Sequence, residues 1–212
     1  MNAMPPSSEL PLGRLRQFVR KGPAVERCEL CAKELAEQHQ HLIELANRRI
    51  VCACDACAVL FDGEQVRKFR RIPRRIERLA DFRLSEAQWE SLRLPINLAF
   101  FYRSSVAGRV VAMFPSPAGA TESLLTLESW NDLAAANPVL EEMAADVEAL
   151  LVDRIGENRR YFRAPIDECF KLVGIIRTHW RGLSGGTDLW QHVEAFFASL
   201  AERGVTIGAG DA

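Results

Sequence analysis

The sequence predicts an α+β protein: a small amino-terminal module, then an α+β domain carrying a β-hairpin and carboxy-terminal helices. Three observations predict it. Five of the six cysteines fall between positions 28 and 57. Two aromatic and aliphatic runs, 97–104 and 109–114, flank a glycine-containing turn. The last third shows helical apolar spacing. At 212 residues, 48% hydrophobic and 26% charged, the chain is long enough for one core plus a small module. With Gly 13 and Pro 10 and no repeat, collagenous, coiled-coil and wholly disordered chains are excluded. No run approaches the ~18–20 apolar residues a membrane helix needs, and the amino terminus lacks an apolar signal core, so a cytoplasmic protein is expected.

The cysteines come first because they carry the chemistry. In a reducing compartment, clustered cysteines read as metal ligands or redox groups rather than disulfides. Cys28 and Cys31 form one C-x2-C pair, Cys54 and Cys57 a second, with 22 residues between them. Two residues between thiolates let one tight turn aim both sulfurs at a single ion, and two such turns supply the S4 shell favoured by Zn²⁺ or mononuclear iron. A zinc-ribbon or rubredoxin-like module over 25–66 follows. Buried thiols acting as small hydrophobes are the competing reading, but core thiols have no reason to occur in such pairs.

Between the pairs, 41–45 reads as a strand, 46–49 as a turn and 50–54 as the returning strand. Alternation puts Cys52 and Cys54 on one face, and His41 lies opposite Cys52. The expected ligands are Cys28, Cys31, Cys54 and Cys57, with Cys52 or His41 as alternates for one of them. His39 is read as a surface or supporting residue. A module this short cannot bury a sufficient core, so its ion supplies much of its folding free energy.

The remaining segments follow in chain order. Residues 1–24 contain four prolines and at most one docking turn or helix. Residues 67–80 form a basic linker; 67–78 (RKFRRIPRRIER) hold seven Arg/Lys and one Glu. The first 80 residues carry net +5 and the rest −6, giving the overall −1. Arg70, Arg71, Arg74, Arg75 and Arg78 recur at helical spacing, although Pro73 restricts its predecessor. Such a run binds nucleic acid or pairs with the acidic half, and a pI of 6.4 favours pairing.

The α+β domain spans 81–206. Ser85 with Gln88 makes a capping box ahead of a helix containing Trp89 and Leu92. Residues 97–104 and 109–114 form the hairpin, and 115–119 a loop. A short helix covers 128–136. Asn137 as N-cap and Pro138 as first residue start a helix over 139–154, whose Val139, Leu140, Met143, Val147, Leu150 and Leu151 keep helical spacing. A further helix runs over 167–180 with Cys169 as a core thiol. A glycine turn over 181–186 then leads to a final helix from Thr187 or Asp188 through Leu200, stopped by Gly204, with a tail at 207–212. His179, Ser184 and Asp188 resemble a hydrolase triad on paper, but no G-x-S-x-G elbow accompanies them, so no enzyme activity is expected.

Three stretches also carry a resemblance: RCELCAKELAEQHQHLIELANRRIVCACDACAVLF (27–61), LPINLAFFYRSSVAGRVVAMFPSPAGATESLL (94–125) and CFKLVGIIRTHWRGLSGGTDLW (169–190). They resemble a family of bacterial cysteine-rich proteins often encoded beside NiFe-hydrogenase genes. The likeness runs from about 27 to 198 and includes all five clustered cysteines and His41. It implies a zinc-binding accessory protein that contacts a hydrogenase subunit or maturation protein. Two other readings are a rubredoxin-like electron carrier with iron, and a zinc-ribbon regulator that binds nucleic acid through Arg67–Arg78. Against the carrier, both knuckles lack the Pro and Gly of C-P-x-C-G.

Overall fold

The computed structural model describes residues 25–62, 68–123, 130–182 and 184–208. The expectations for 1–24, for the ends of the ribbon and of the tail, and for the first two residues of the 128–136 helix lie outside these. The chain is α+β, with two sheets. Strands β1 (Gln40–Glu44), β2 (Arg49–Ala53) and β3 (Phe69–Arg71) make a small antiparallel sheet in the order β2-β1-β3. The expected hairpin is present, and His41 pairs with Cys52. Helix α1 (Asp55–Phe61) follows β2 directly.

The larger sheet has seven strands in the order β10-β4-β9-β8-β5-β6-β7: β4 (Glu77–Leu79), β5 (Leu98–Ser104), β6 (Arg109–Ser116), β7 (Gly119–Glu122), β8 (Glu148–Asp153), β9 (Arg160–Pro165) and β10 (Val205–Ile207). Among the described strands only β10 and β4 run parallel. Strand alternation divides its side chains between two cores. Phe100, Val111, Ala149, Leu151 and Phe162 face α4 (Ile166–His179) and α5 (Thr187–Arg203). Phe101, Ala112, Leu150, Val152 and Tyr161 face the other way. There they meet Trp89 of α2 (Glu86–Ser91), Leu133 of α3 (Trp130–Ala136) and Leu140. Each fully buried Leu or Phe contributes about 1.5–3 kcal/mol, so this double layer is the main source of stability. The Ser85–Gln88 capping box forms in both directions. No helix among the described residues is long and apolar enough to cross a membrane.

Several expectations fail. The helix over 139–154 is instead a 3-10 turn at Pro138–Leu140 followed by strand β8. Every residue of β8 is buried, because both faces of the sheet are covered; such a strand reads as a continuous apolar run that periodicity cannot separate from a helix. Asn137 does not cap that turn with its side chain. Its amide donates to Leu133 O and Arg83 O and accepts from Arg83 N–H, stitching α3 to the chain before α2.

The expected basic linker is not a bare connection, because parts of it enter the sheets. Residues 69–71 join the small sheet and 77–79 the large one, with Pro73 between them. At the far end, Gly186 at φ 80° precedes α5 as N-cap, without a side-chain cap from Thr187 or Asp188. Gly204 stops α5 as expected, for a steric reason: a Cβ there would sit 2.9 Å from both Ile76 Cγ2 and Leu200 O. The chain then continues into β10.

Candidate metal centre

The four cysteines of the two pairs converge. One sulfur from each of Cys28, Cys31, Cys54 and Cys57 lies within 4.8 Å of every other. Cys31 Sγ and Cys54 Sγ are 3.7 Å apart, and all six cysteines are free thiols. A tetrahedron with Zn–S bonds of about 2.3 Å has edges of about 3.8 Å, so the set is dimensioned for one ion.

Local chain geometry explains the convergence. In the first knuckle Ala32 N–H donates to Cys28 O at 2.8 Å, and Cys28 N–H to Lys33 O at 2.8 Å, closing a tight loop. Ala32 adopts φ 62°, the left-handed conformation that a glycine would take more easily. Glu29 ties this loop to β2: its carboxylate accepts from Cys52 N–H and from Arg49, and its own N–H donates to Cys52 O. The second knuckle is not a turn. Cys54 is the N-cap of α1 and Cys57 sits three residues on, which places both on one side of the helix start. Cys28, Cys54 and Cys57 are buried with Leu42, Val51, Ala53, Ala58 and Phe69 in a small core of their own.

The electrostatics suit a thiolate centre. Burial pushes the Cys28 thiol up, but the backbone amides of Cys54, Leu30 and Cys31 outweigh it and bring the thiol below its ordinary value. Burial, with thiol contacts to Cys31, Cys54 and Cys28, holds Cys57 well above its ordinary value. One sulfur carries charge readily and another resists it until a cation arrives; binding an ion therefore expels protons.

The alternates belong elsewhere. Cys52 and Cys54 do not share a face: Cys54 packs with Val51 and Ala53 in the ribbon core, while Cys52 turns to the other side. Cys52 and His41 group with His39, each offering one ligand atom within 4.8 Å of the others. His39 was the residue sequence reasoning passed over; the signal was the H-x-H spacing on a strand opposite a cysteine. His41 Nδ1 donates to Asp167 Oδ2 at 2.6 Å, and that bond, above all, raises the imidazole's pKa. Burial and the charges of Glu26, Glu29 and Cys28 push the Cys52 thiol up, so it is not a poised nucleophile.

The paper triad is not assembled. His179 Nδ1 lies 3.3 Å from Asp188 Oδ2, but among the described residues no hydrogen bond joins Ser184 to His179. Cys169 is fully buried in α4, and burial raises its thiol well above the ordinary range. Part of the basic run is paired within the molecule: Arg70 with Asp146, Arg71 with Asp62, and Arg75 with Glu77 and Glu148.

A protein-family model matches residues 27–204, from the first knuckle to the end of α5. The chain belongs to DUF5947, a family of unknown function. The DUF5947 match takes in the small sheet, all of the larger sheet but strand β10, and all five clustered cysteines. No curated protein and no solved structure matches the chain.

Proposed function

We propose that this chain is a metal-binding accessory protein whose four-thiolate ribbon holds a structural Zn²⁺ and presents a docking surface to a NiFe-hydrogenase subunit or maturation protein. The convergence of Cys28, Cys31, Cys54 and Cys57 within 4.8 Å carries the metal half of this reading. A closed shell of four protein sulfurs leaves no position for substrate, which favours structure over catalysis. The partner half rests on the resemblance of the three quoted stretches. It is supported by Val59 and Leu60 of α1, which stand 68% and 70% exposed on the helix that bears Cys57. Elemental analysis of wild type and Cys54→Ser tests the metal: the variant holds about one zinc fewer per chain, and equal zinc in both contradicts the ligand set. Binding of purified hydrogenase or its maturation proteins to immobilised wild type, weakened by charged substitutions at Val59 and Leu60, tests the partner. Absence of binding to any of them refutes it.

One observation keeps the iron carrier as a second reading. Its main objection was the missing glycine after the knuckle, yet Ala32 takes the left-handed conformation that glycine serves. Amides of Leu30, Cys31 and Cys54 reach Cys28, and such bonds tune iron–sulfur potentials. This reading predicts a red oxidised protein that bleaches with dithionite, and a colourless preparation from iron-rich medium ends it. The nucleic-acid reading has less support, because Arg70, Arg71 and Arg75 are engaged with acidic partners. It predicts salt-sensitive binding to DNA or RNA, which a flat low-salt titration removes.

A further inference from the structure

A second group of soft ligands lies where the small sheet meets the large domain. A cavity of about 530 Å³ opens there, lined among others by Glu26, His39, His41, Cys52, Asp167 and Glu168. His39 immediately precedes β1 and His41 lies within it; two residues apart, they share a face, and their rings meet edge to face at 4.9 Å. Cys52 is His41's partner across the β1–β2 ladder. One ring nitrogen from each histidine and the Cys52 sulfur lie within 4.8 Å of one another.

The hydrogen bonds single out the free nitrogens. His39 Nδ1 donates to Ala36 O at 2.9 Å and His41 Nδ1 donates to Asp167 Oδ2 at 2.6 Å. Both bonds fix the Nδ1–H tautomer and leave the Nε2 lone pair available. A carboxylate or carbonyl behind the imidazole is the usual outer support of a metal-bound histidine. The His39 side chain is only 8% exposed, yet its Nε2 is buried without a hydrogen-bond partner. Leaving a buried imidazole nitrogen bare is costly, and a bound cation removes that cost.

We propose that His39, His41 and Cys52 form a second metal site, separate from the four-cysteine cluster, that binds a borderline divalent transition ion such as Zn²⁺ or Co²⁺ through two imidazoles and one thiolate. The N2S donor set suits such ions. Three protein ligands leave a fourth coordination position, and the cavity supplies room for it. Asp167 positions His41 rather than touching the ion, so it links the site to the first turn of α4.

The test saturates the full-length protein with Co²⁺, removes unbound ion and measures total zinc plus cobalt per chain. Cys52→Ser and His39→Gln each hold about one ion fewer than wild type. Either folded variant holding as much metal as wild type overturns the proposal. Should His39→Gln fail to fold, Cys52→Ser, at a partly exposed position, decides alone. Asp167→Asn lowers cobalt affinity at this site about 10–100-fold, whereas an unchanged affinity removes its positioning role. The proposal does not depend on the cysteine cluster, whose own loss in Cys54→Ser is read separately.

Discussion

At the residue scale, the first knuckle stores strain that sequence reasoning placed nowhere. Ala32 at φ 62° costs about 1–2 kcal/mol relative to a right-handed residue, offset in part by the entropy a glycine would lose. Ala32→Gly is therefore expected to raise the stability of the metal-bound protein by about 0.5 kcal/mol, read as a higher denaturation midpoint; a lower midpoint contradicts the strain. Cys169 gives the opposite kind of test. It is a core thiol, so Cys169→Ser buries a hydroxyl among apolar neighbours and costs about 1–3 kcal/mol while metal content stays unchanged. Loss of metal in that variant would contradict the ligand assignment. The four cysteines were legible because C-x2-C spacing is a local constraint. Membership of the second group was half legible: the His41–Cys52 pairing follows from the turn at 46–49, but the burial of His39 depends on Ala36, Glu26 and the packing of a distant domain.

At the element scale, what could be read depended on how each element is covered. The 97–104 and 109–114 hairpin was legible from its turn, and α4 and α5 from their periodicity. Strand β8 was not, since Ala149 and Leu151 face one core while Leu150 and Val152 face the other. Strands β4 and β10 were also hidden, each being three residues long and recruited from segments 126 residues or more apart by their pairing. Strand β4 is fixed by a buried charge pair: Arg163 Nε donates to Glu77 Oε2 at 2.6 Å, and the two residues are ladder partners. Glu77→Ala strands a buried guanidinium and is expected to cost about 3–5 kcal/mol by chemical denaturation. A change below 1 kcal/mol would mean that Glu142, 3.1 Å from Arg163 Nη1, suffices alone.

At the scale of the whole molecule, the ribbon sits on the large domain through apolar contacts and ion pairs. Ile43 of β1 and Ile72 after β3 belong to the main core, while Arg48 of the β1–β2 turn and Arg109 of β6 both reach Glu122 of β7. Burial raises the Glu122 carboxyl, but the two guanidiniums outweigh it and hold it below its ordinary 4.5. A carboxyl depressed in the folded state contributes stability above the unfolded value and loses it as pH falls through the folded one. Glu122→Gln should thus cost about 0.5 kcal/mol at neutral pH and nothing once pH is well below 4, and an equal cost at both ends would contradict the pairing. Net charge at this scale was legible in direction: the +5 of the first 80 residues meets the −6 of the rest through Arg70 and Arg75. Their individual partners were not, because Asp146 and Glu148 come from a segment that reads as a helix.

The ribbon and the seven-stranded sheet also differ in what holds them. The sheet has two apolar cores, whereas the ribbon's own core is small, and three of its eight buried residues are cysteines. Hydrogen exchange of the full chain with and without a strong chelator tests this most directly. If an ion in the Cys28, Cys31, Cys54 and Cys57 cluster folds the ribbon, stripping the metal with the chelator abolishes protection across 27–61 while β5 and β8 stay protected. Unchanged protection across 27–61 in protein shown to be free of metal would contradict it.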